Sequence, residues 1–200
     1  MELEISNNEI DLNKVLSVYD TFVIDFLKLL KQLDIKYVII SGYVILLFGR
    51  QRVTEDIDIF LEELDEQKLK NLFAMLQKEY WIINAGSYET FKDLYRESMA
   101  WRVAKKDTIT PNMEIKRAKT YLDSLSLNNS IKVILNKEYE IRISPIELQI
   151  AYKLFLGSKN DLEDASYLYD LFKGKLDKEK LLRYIKELKV PDDNKILVLI

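Results

Sequence analysis

The segment from Val38 to Leu61 constrains the fold of this chain more than any other stretch of its sequence. It begins with an apolar run that is typical of a buried strand and stops at Ser41-Gly42. One or two apolar turns of helix follow, and Gly49 is the kind of residue that ends them. A second strand, from Glu55 to Leu61, comes after a short basic stretch. The segment therefore predicts a strand, a tight turn, a short helix and a second strand in close succession.

An acidic pair, Asp56 and Asp58, lies within the second predicted strand. Residues two apart in a strand point to the same face, so the two carboxylates lie side by side and raise each other's pKa. A divalent cation relieves this repulsion, and Mg²⁺ binds hard oxygen ligands, often one or two carboxylates together with substrate phosphate. An acidic pair of this spacing also fits a solvated sheet face that binds no metal.

The turn at Ser41-Gly42 supplies the second half of a candidate site. Glycine lets the backbone approach a ligand closely, and the free N–H groups at the start of a helix attract anions. A phosphate-binding turn and a metal-binding pair, separated by one short helix, indicate a site for a nucleoside triphosphate.

Composition excludes several other kinds of chemistry. The 200 residues contain no cysteine and no histidine, so thiolate nucleophiles, disulfides, serine–histidine triads and histidine-bound metals are ruled out. Any metal must therefore be held by oxygen. The net charge of -3 argues against a surface coated in nucleic-acid-binding charge, although it leaves room for a local basic groove.

The sequence gives no sign of a membrane partner. No apolar run approaches the ~20 residues that span a bilayer. The first residues are acidic and polar, without the basic start and apolar run of a signal peptide. We therefore expect a cytoplasmic location.

Four short motifs, read together, resemble the signature of the DNA polymerase beta-like nucleotidyltransferase superfamily. They are Ser41-Gly42, Gly49-Arg50, Arg52-Val53-Thr54 and Asp56-Ile57-Asp58. Within that superfamily the pattern is most similar to the bacterial and archaeal branch that contains AbiEii-type toxins. That branch commonly has Gly-Gly or Gly-Ser at the phosphate turn. Here the order is Ser-Gly, which keeps one small, flexible position.

The resemblance implies an α+β nucleotidyltransferase fold, in which a mixed β-sheet is flanked by helices. We divide the chain into an α/β core, residues 1–143, and a C-terminal helical segment packed on it, residues 144–200. The implied activity is transfer of a nucleotide from a nucleoside triphosphate, with two Mg²⁺ or Mn²⁺ ions as cofactors. Asp56, Asp58 and a third carboxylate would be the catalytic and metal-binding residues. Glu114 is the candidate for the third, and an ordinary charged residue on an exposed strand face is the alternative.

The resemblance also assigns residues to the triphosphate. Ser41 and Gly42 would cradle it, while Arg50, Arg52 and Thr54 would bind its phosphates. The stretch from residue 144 to residue 172 resembles the C-terminal element of the same branch, in which an inward lysine meets a Lys/Arg-x-Asp-x-x-Asp element. The matching residues, all assigned to the nucleotide site except Lys159, are Lys153, Lys159, Asp161 and Asp164.

Two of these residues have alternative roles. Lys153 either presents its ammonium group to a triphosphate or pairs with Asp164. Asp161 either belongs to the site or anchors the start of a helix that runs to Phe172.

Nothing in the sequence selects the acceptor among an RNA end, a protein hydroxyl and a small molecule. The branch resemblance suggests the toxin of a toxin–antitoxin pair, with a cognate antitoxin as partner, or a stand-alone enzyme of the same ancestry. A catalytically inactive nucleotidyltransferase-like module is a second hypothesis, and an unrelated α+β protein with a structural acidic pair is a third.

Periodicity predicts the remaining elements that matter here. Apolar residues at helical spacing predict a helix from Leu12 to Leu33. Alternating residues on either side of Asn136-Lys137 predict a hairpin, because asparagine tolerates positive φ. Ser144 is the predicted N-cap of the next helix, with Pro145 in its first position.

Overall fold

The computed structural model describes residues 2–6, 9–52, 54 and 56–195. Within these ranges nine strands form a single mixed sheet, in the order β1-β2-β8-β9-β3-β4-β7-β6-β5. The strands are β1 (Glu2–Ser6), β2 (Glu9–Asn13), β3 (Tyr37–Ile40), β4 (Asp56–Leu61), β5 (Tyr80–Ile82), β6 (Trp101–Lys105), β7 (Asn112–Arg117), β8 (Ile131–Leu135) and β9 (Tyr139–Ile143). The helices are α1 (Val18–Gln32), α2 (Gly42–Leu47), α3 (Glu66–Glu79), α4 (Tyr88–Arg96), α5 (Tyr121–Asn128), α6 (Ile146–Leu156), α7 (Lys159–Phe172), α8 (Lys178–Glu187) and α9 (Asp192–Lys195). A mixed sheet flanked by helices is the fold class that the sequence predicts.

The centre of the sheet is built from β3, β4 and β7. β3 pairs antiparallel with β4, and Ile40 lies opposite Asp58. β4 pairs in parallel with β7, which sets Asp58 beside Glu114. Burial alternates along β4, with Ile57 and Ile59 in the core. One face of these strands is therefore apolar, and the opposite face carries the acidic side chains. Glu55, the predicted start of this strand, lies outside the described residues.

The N-terminal region differs from the prediction of one helix from Leu12 to Leu33. Residues 2–6 and 9–13 form β1 and β2, and β2 pairs in parallel with β8. The helix begins only at Val18, after Ser17 and Asp20 form a capping box. Leu12 fits the helical spacing that follows it, yet polar and apolar residues also alternate from residue 9 to residue 13, which is the period of a half-buried strand.

The hairpin of β8 and β9 confirms the prediction from Asn136-Lys137. Both turn residues have positive φ, 54° and 60°, and the strands pair antiparallel. The Asn136 side chain also fixes the N-terminal region. Its Oδ1 accepts a hydrogen bond from the Lys14 backbone N–H at 2.9 Å, and its Nδ2 donates one to the Lys14 carbonyl at 2.9 Å.

The C-terminal helices follow the last strand directly. Pro145, rather than Ser144, is the N-cap of α6, and the helix has no side-chain cap. The Ser144 hydroxyl is instead buried against the Ser126 hydroxyl at 3.1 Å. α6 packs on both α7 and α8. Residues 196–200 of the predicted C-terminal segment lie outside the described residues, and the division at residue 144 stays a prediction.

A search of the described helices for membrane spans gives none that is both long enough and apolar enough to cross a bilayer.

The strand assignment of Leu12 is testable by mutation. Leu12 is 0% exposed and Val18 is 72% exposed, although the helical prediction placed both on one element. We expect Leu12→Ala to lower the free energy of unfolding by about 2–5 kcal/mol, because the change empties a closely packed core position. Val18→Ala, the matched control, should stay within about 0.5 kcal/mol of the native protein. Urea unfolding measures both, and equal effects of the two changes would contradict the assignment.

Candidate functional site

The acidic face of β4 and β7 is the centre of the candidate site. Asp56, Asp58 and Glu114 all lie on it, because their strands run parallel and in register. The Asp56 carboxylate is already engaged there. Its Oδ1 accepts hydrogen bonds from the Arg102 guanidinium and from the Asn112 side-chain amide, both at 2.8 Å.

A lysine lies between the other two carboxylates. The Lys116 Nζ is 2.5 Å from Glu114 Oε1 and 3.7 Å from Asp58 Oδ1. Burial lowers the pKa of Lys116, but the hydrogen bond to Glu114 and the charge of Asp58 outweigh burial and raise it above its ordinary value. The ammonium group is therefore charged and balances part of the acidic face.

Asp58 is the carboxylate with the perturbed titration. Burial raises its pKa, and the charges of Glu114 and Asp56 raise it further, while Lys116 and Lys153 act in the opposite direction. The ionised form of Asp58 is thus disfavoured in the folded protein, which is the electrostatic situation that a bound cation relieves. Lys153 connects this face to the basic side of the site.

The acidic face has ligands of the right chemistry for Mg²⁺ or Mn²⁺, because all three candidates are carboxylates. Their arrangement is not that of a preformed metal site. Over the described ranges, no three acidic side chains converge in a way that could hold a metal ion. Asp56 is turned to Arg102 and Asn112, and Glu114 is held by Lys116. The face suits a divalent cation, because its donor atoms are carboxylate oxygens and the strand register places Asp58 beside Glu114. To bind the cation, Asp56 and Glu114 must give up their present protein partners.

The phosphate turn lies beside this face. Ser41 has a φ of 62° and precedes α2 without a side-chain cap. A Cβ atom at Gly42 would lie 3.1 Å from the Thr54 Oγ1, so the Thr54 side chain would have to shift by a few tenths of an ångström, and 3.5 Å from the Arg52 guanidinium carbon, which is an ordinary contact. The structure thus brings the turn, Arg52 and Thr54 together, and their role in binding phosphate stays a prediction. Val53 lies outside the described residues.

One donor of this turn is occupied. The backbone N–H of Ser41 donates a hydrogen bond to the Gln149 Oε1 at 3.2 Å. Gln149 lies on α6 and is 3% exposed. It therefore ties the turn to the helix that also carries Lys153.

A cluster of opposite charges forms the basic side of the site. Asp164 is 0% exposed and accepts hydrogen bonds from both Arg50 and Arg52. Its Oδ2 is also 3.2 Å from the Lys153 Nζ. Glu163, which is more exposed, pairs with Arg50 at 2.6 Å.

Lys153 pairs with two carboxylates rather than one. Besides Asp164, it donates a hydrogen bond to the Asp161 Oδ1 at 2.7 Å. The N-cap of α7 is Ser158, so the helix begins at Lys159 and Asp161 lies inside its first turn. Burial raises the pKa of Asp161, but hydrogen bonds from Lys153 and Ser158 outweigh it and lower the pKa below its ordinary value. Asp161 therefore lies at the start of the helix, which is one of its two predicted roles, and it also pairs with Lys153, while its assignment to the nucleotide site stays a prediction.

Four residues of the site were given no role from the sequence, although the alternation along its strand places Lys116 on the face of Glu114. Arg102, Asn112 and Lys116 share the acidic face through strand register, and Asn112 and Lys116 lie two residues on either side of Glu114. The period of two along β7 would have indicated these two. Gln149 could have been noticed as a polar residue within an otherwise apolar stretch of α6.

Comparison with known proteins supports the fold. No protein-family model matches the chain, and no curated protein sequence matches it. Among solved structures, the chain is similar to an antigenic nucleotidyltransferase-like protein from Paracoccidioides brasiliensis, with 18% identity and a TM-score of 0.52 over 88% of this chain and 90% of the other. It is also similar to the antibiotic-resistance factor ANT(2'')-Ia, with 12% identity and a TM-score of 0.55 over 84% of this chain and 90% of the other. The chain therefore has a nucleotidyltransferase-like fold.

The acidic face predicts an unusual pH response for Asp58→Asn. Because the pKa of Asp58 is raised on folding, ionisation of Asp58 destabilises the folded protein. The full destabilisation is present above the raised pKa, and none is present below the ordinary value of 3.8. We expect Asp58→Asn to be as stable as the native protein or more stable at pH 7, with the difference shrinking as the pH falls toward 3.8. Urea unfolding at several pH values measures this.

Asp56→Asn is the matched control, since the Asp56 carboxylate receives two hydrogen bonds that an amide satisfies less well. It should lose stability at pH 7. A loss for Asp58→Asn as large as the loss for Asp56→Asn would mean that Asp58 stabilises the fold.

The charge cluster predicts the opposite response for Asp164→Asn. Removing one member of a buried ionic group leaves the others uncompensated, which costs about 3–5 kcal/mol. The adjacent change Glu163→Gln should have little effect, because that pair is half exposed and such pairs contribute about 1 kcal/mol or less. Thermal and urea unfolding of both variants measure this difference. Equal losses of stability in Asp164→Asn and Glu163→Gln would contradict the prediction.

Proposed function

We propose that the protein is a metal-dependent nucleotidyltransferase that moves a nucleotide from a nucleoside triphosphate to a hydroxyl acceptor. The observation that carries the proposal is one juxtaposition. The Gly42 turn, with Arg52 and Thr54 against it, lies next to strands whose register brings Asp58 and Glu114 side by side. A phosphate-binding turn beside paired carboxylates is the arrangement that phosphoryl chemistry requires.

The basic residues would bind the triphosphate. Arg52 is already at the turn, and Arg50 and Lys153 meet it through Asp164. Cations placed around the outer phosphates stabilise the charge that develops as pyrophosphate leaves. Asp161 and Asp164 would act on the nucleotide indirectly, because they hold these cations in place.

Asp56, Asp58 and Glu114 would hold two Mg²⁺ or Mn²⁺ ions, whose chemistry there is to neutralise triphosphate charge and to make the acceptor hydroxyl a better nucleophile. The lysine between two of these carboxylates must then leave. Lys116 has a long flexible side chain, so rotation would release Glu114 and bring the ammonium group toward the incoming phosphates.

The acceptor in this proposal is a molecule that carries a free hydroxyl. An RNA end, a protein hydroxyl and a small molecule each offer the hydroxyl that the chemistry needs. We retain the AbiEii-type toxin role, with a cognate antitoxin, as the proposed setting, and the cytoplasm as the proposed location.

A second candidate function is a nucleotide-binding module without turnover. The observation that favours it is the pairing of every proposed metal-binding carboxylate with a protein cation. Arg102 holds Asp56, and Lys116 lies between Asp58 and Glu114. A site neutralised in this way could bind a triphosphate through its basic side alone.

Calorimetry and a transfer assay separate these functions. We expect Mg²⁺ alone to bind weakly, and at least one of MgATP, MgGTP, MgCTP and MgUTP to bind well, because the triphosphate supplies the missing oxygen ligands. With α-labelled nucleotides and pooled small RNA or the protein itself as acceptor, we expect the label to appear on the acceptor, together with pyrophosphate release. The double change Asp56→Asn and Asp58→Asn should abolish the release, whereas Asp93→Asn, an exposed carboxylate on α4, should not.

Each result has a definite meaning. Magnesium-independent nucleotide binding without pyrophosphate release would favour the binding module. Failure of all four nucleotides to bind the native protein would contradict both functions.

A further inference from the structure

A small cavity of about 80 Å³ opens beside the candidate site and has no role in the function proposed above. Most of its wall is apolar, and a few polar groups interrupt it. The lining residues are Ile40, Ser41, Phe60, Leu122, Asp123, Ser126, Ser144, Leu148, Gln149 and Tyr152.

The position of this cavity links it to both halves of the site. Phe60 follows Asp58 by two residues on the same face of β4, and Ile40 lies opposite Asp58 on β3. Ser41 belongs to the phosphate turn itself. Tyr152 precedes Lys153 on α6, and its phenol is close enough to Lys116 to influence the pKa of that lysine. A group in the cavity would therefore lie next to the reacting phosphates.

The lining sets the chemistry of the occupant. Leu122, Leu148 and Phe60 favour an uncharged group, since an unpaired charge in apolar surroundings is costly. The Asp123 carboxylate is engaged in capping α5, where it accepts hydrogen bonds from the backbone N–H groups of Lys119 and Thr120. It is therefore occupied and does not call for a cationic ligand.

Gln149 provides the polar contact. Its Oε1 accepts from the Ser41 N–H, while its amide nitrogen donates no hydrogen bond to any of the described residues. Gln149 is 3% exposed and lines the cavity, and its amide nitrogen is not one of the fully buried side-chain atoms that lack a partner, so this nitrogen keeps an opening to the cavity. The Gln149 amide thus offers a donor to an acceptor atom on a ligand.

We propose that this cavity is a subsite for a flat, uncharged ring of a substrate that carries a hydrogen-bond acceptor at its edge. The inference rests on the proposed nucleotidyltransferase function. Dry cavities of about 150 Å³ lined by similar residues hold a benzene molecule. A cavity of about half that volume, open on one side, takes part of a ring while the rest stays in the cleft. The ring is either the base of the nucleotide or a ring of the acceptor.

A cavity-filling variant tests the proposal. Leu122 is half-buried near the start of α5, so Leu122→Trp places an indole in the cavity without disturbing the core. Leu127→Trp is the matched control, because Leu127 is a half-buried leucine of the same helix that lines a different groove. Tyr152→Ala, at a wall position that is 40% exposed, is a second variant that keeps the test open should Leu122→Trp fail to fold.

The first measurement compares nucleotides with a ligand that has no ring. MgATP, MgGTP, MgCTP, MgUTP and magnesium tripolyphosphate are titrated into each protein by calorimetry. If the ring is the nucleotide base, Leu122→Trp and Tyr152→Ala lose tenfold or more in affinity for the nucleotides and keep tripolyphosphate affinity within twofold. Leu127→Trp changes neither affinity.

The second measurement covers a ring that belongs to the acceptor. In that case the nucleotide affinities do not change. Phenol, added in the presence of magnesium tripolyphosphate, then shifts the methyl NMR signals of Ile40 and Leu148 in the native protein and in Leu127→Trp, and shifts neither in Leu122→Trp. Either positive measurement supports the subsite and identifies the source of its ring.

Two results would overturn it. One is that the variants lose no nucleotide affinity selectively and that phenol also leaves the methyl signals of Ile40 and Leu148 unshifted in the native protein. The other is an equal loss of nucleotide and tripolyphosphate affinity in Leu122→Trp, since the cavity would then act only through the phosphate turn. A native protein that binds neither tripolyphosphate nor any nucleotide contradicts the proposed function instead, and so the two failures are distinguishable.

Discussion

The buried carboxylate of Asp164 is the interaction on which the site most depends. A carboxylate without solvent is stable only with charged partners, and Asp164 finds them in Arg50, Arg52 and Lys153. These cations come from the segment after α2 and from α6, while Asp164 itself lies on α7. One acidic group therefore holds three separate parts of the chain around the phosphate turn. The positions of Arg50, Arg52 and Lys153 follow from the need of Asp164 for partners.

The acidic face a short distance away is organised differently. Asp164 is stabilised by its neighbours, whereas the partial burial of Asp58 raises its pKa and the two carboxylates beside it raise the pKa further. Lys116 reduces this repulsion without removing it. The fold thus concentrates unfavourable electrostatics on the sheet face where a ligand is expected, and it satisfies the charges on the helical side. Such a division is typical of sites that are built for binding rather than for stability.

Much of this arrangement was predictable, and the limits have physical causes. The strand–turn–helix–strand segment was predicted because its periods are local, and Asp56 and Asp58 share a face by strand geometry alone. Glu114 lies beside Asp58 only because β4 pairs with β7, which follows it by more than fifty residues. No local sequence pattern sets that register. For the same reason Arg102 was missed, because only pairing through β7 brings its strand to Asp56. Leu12 was assigned to a helix because it fits the helical spacing of the residues that follow it, and the strand-like alternation before it extends over only five residues.

The pairing of β2 with β8, beside which Asn136 forms two hydrogen bonds with the Lys14 backbone, has a consequence for how the chain folds. β2 joins the sheet through β8, whose residues follow it by more than a hundred positions. On the ribosome, where the more N-terminal of two segments emerges first, β2 must wait until β8 has been made. During that interval the edge of β2 that later meets β8 presents unpaired N–H and C=O groups, which invite pairing with other chains. Closing such a long loop is also slow. The pair of β1 and β2 is therefore exposed to misassembly until β8 is available.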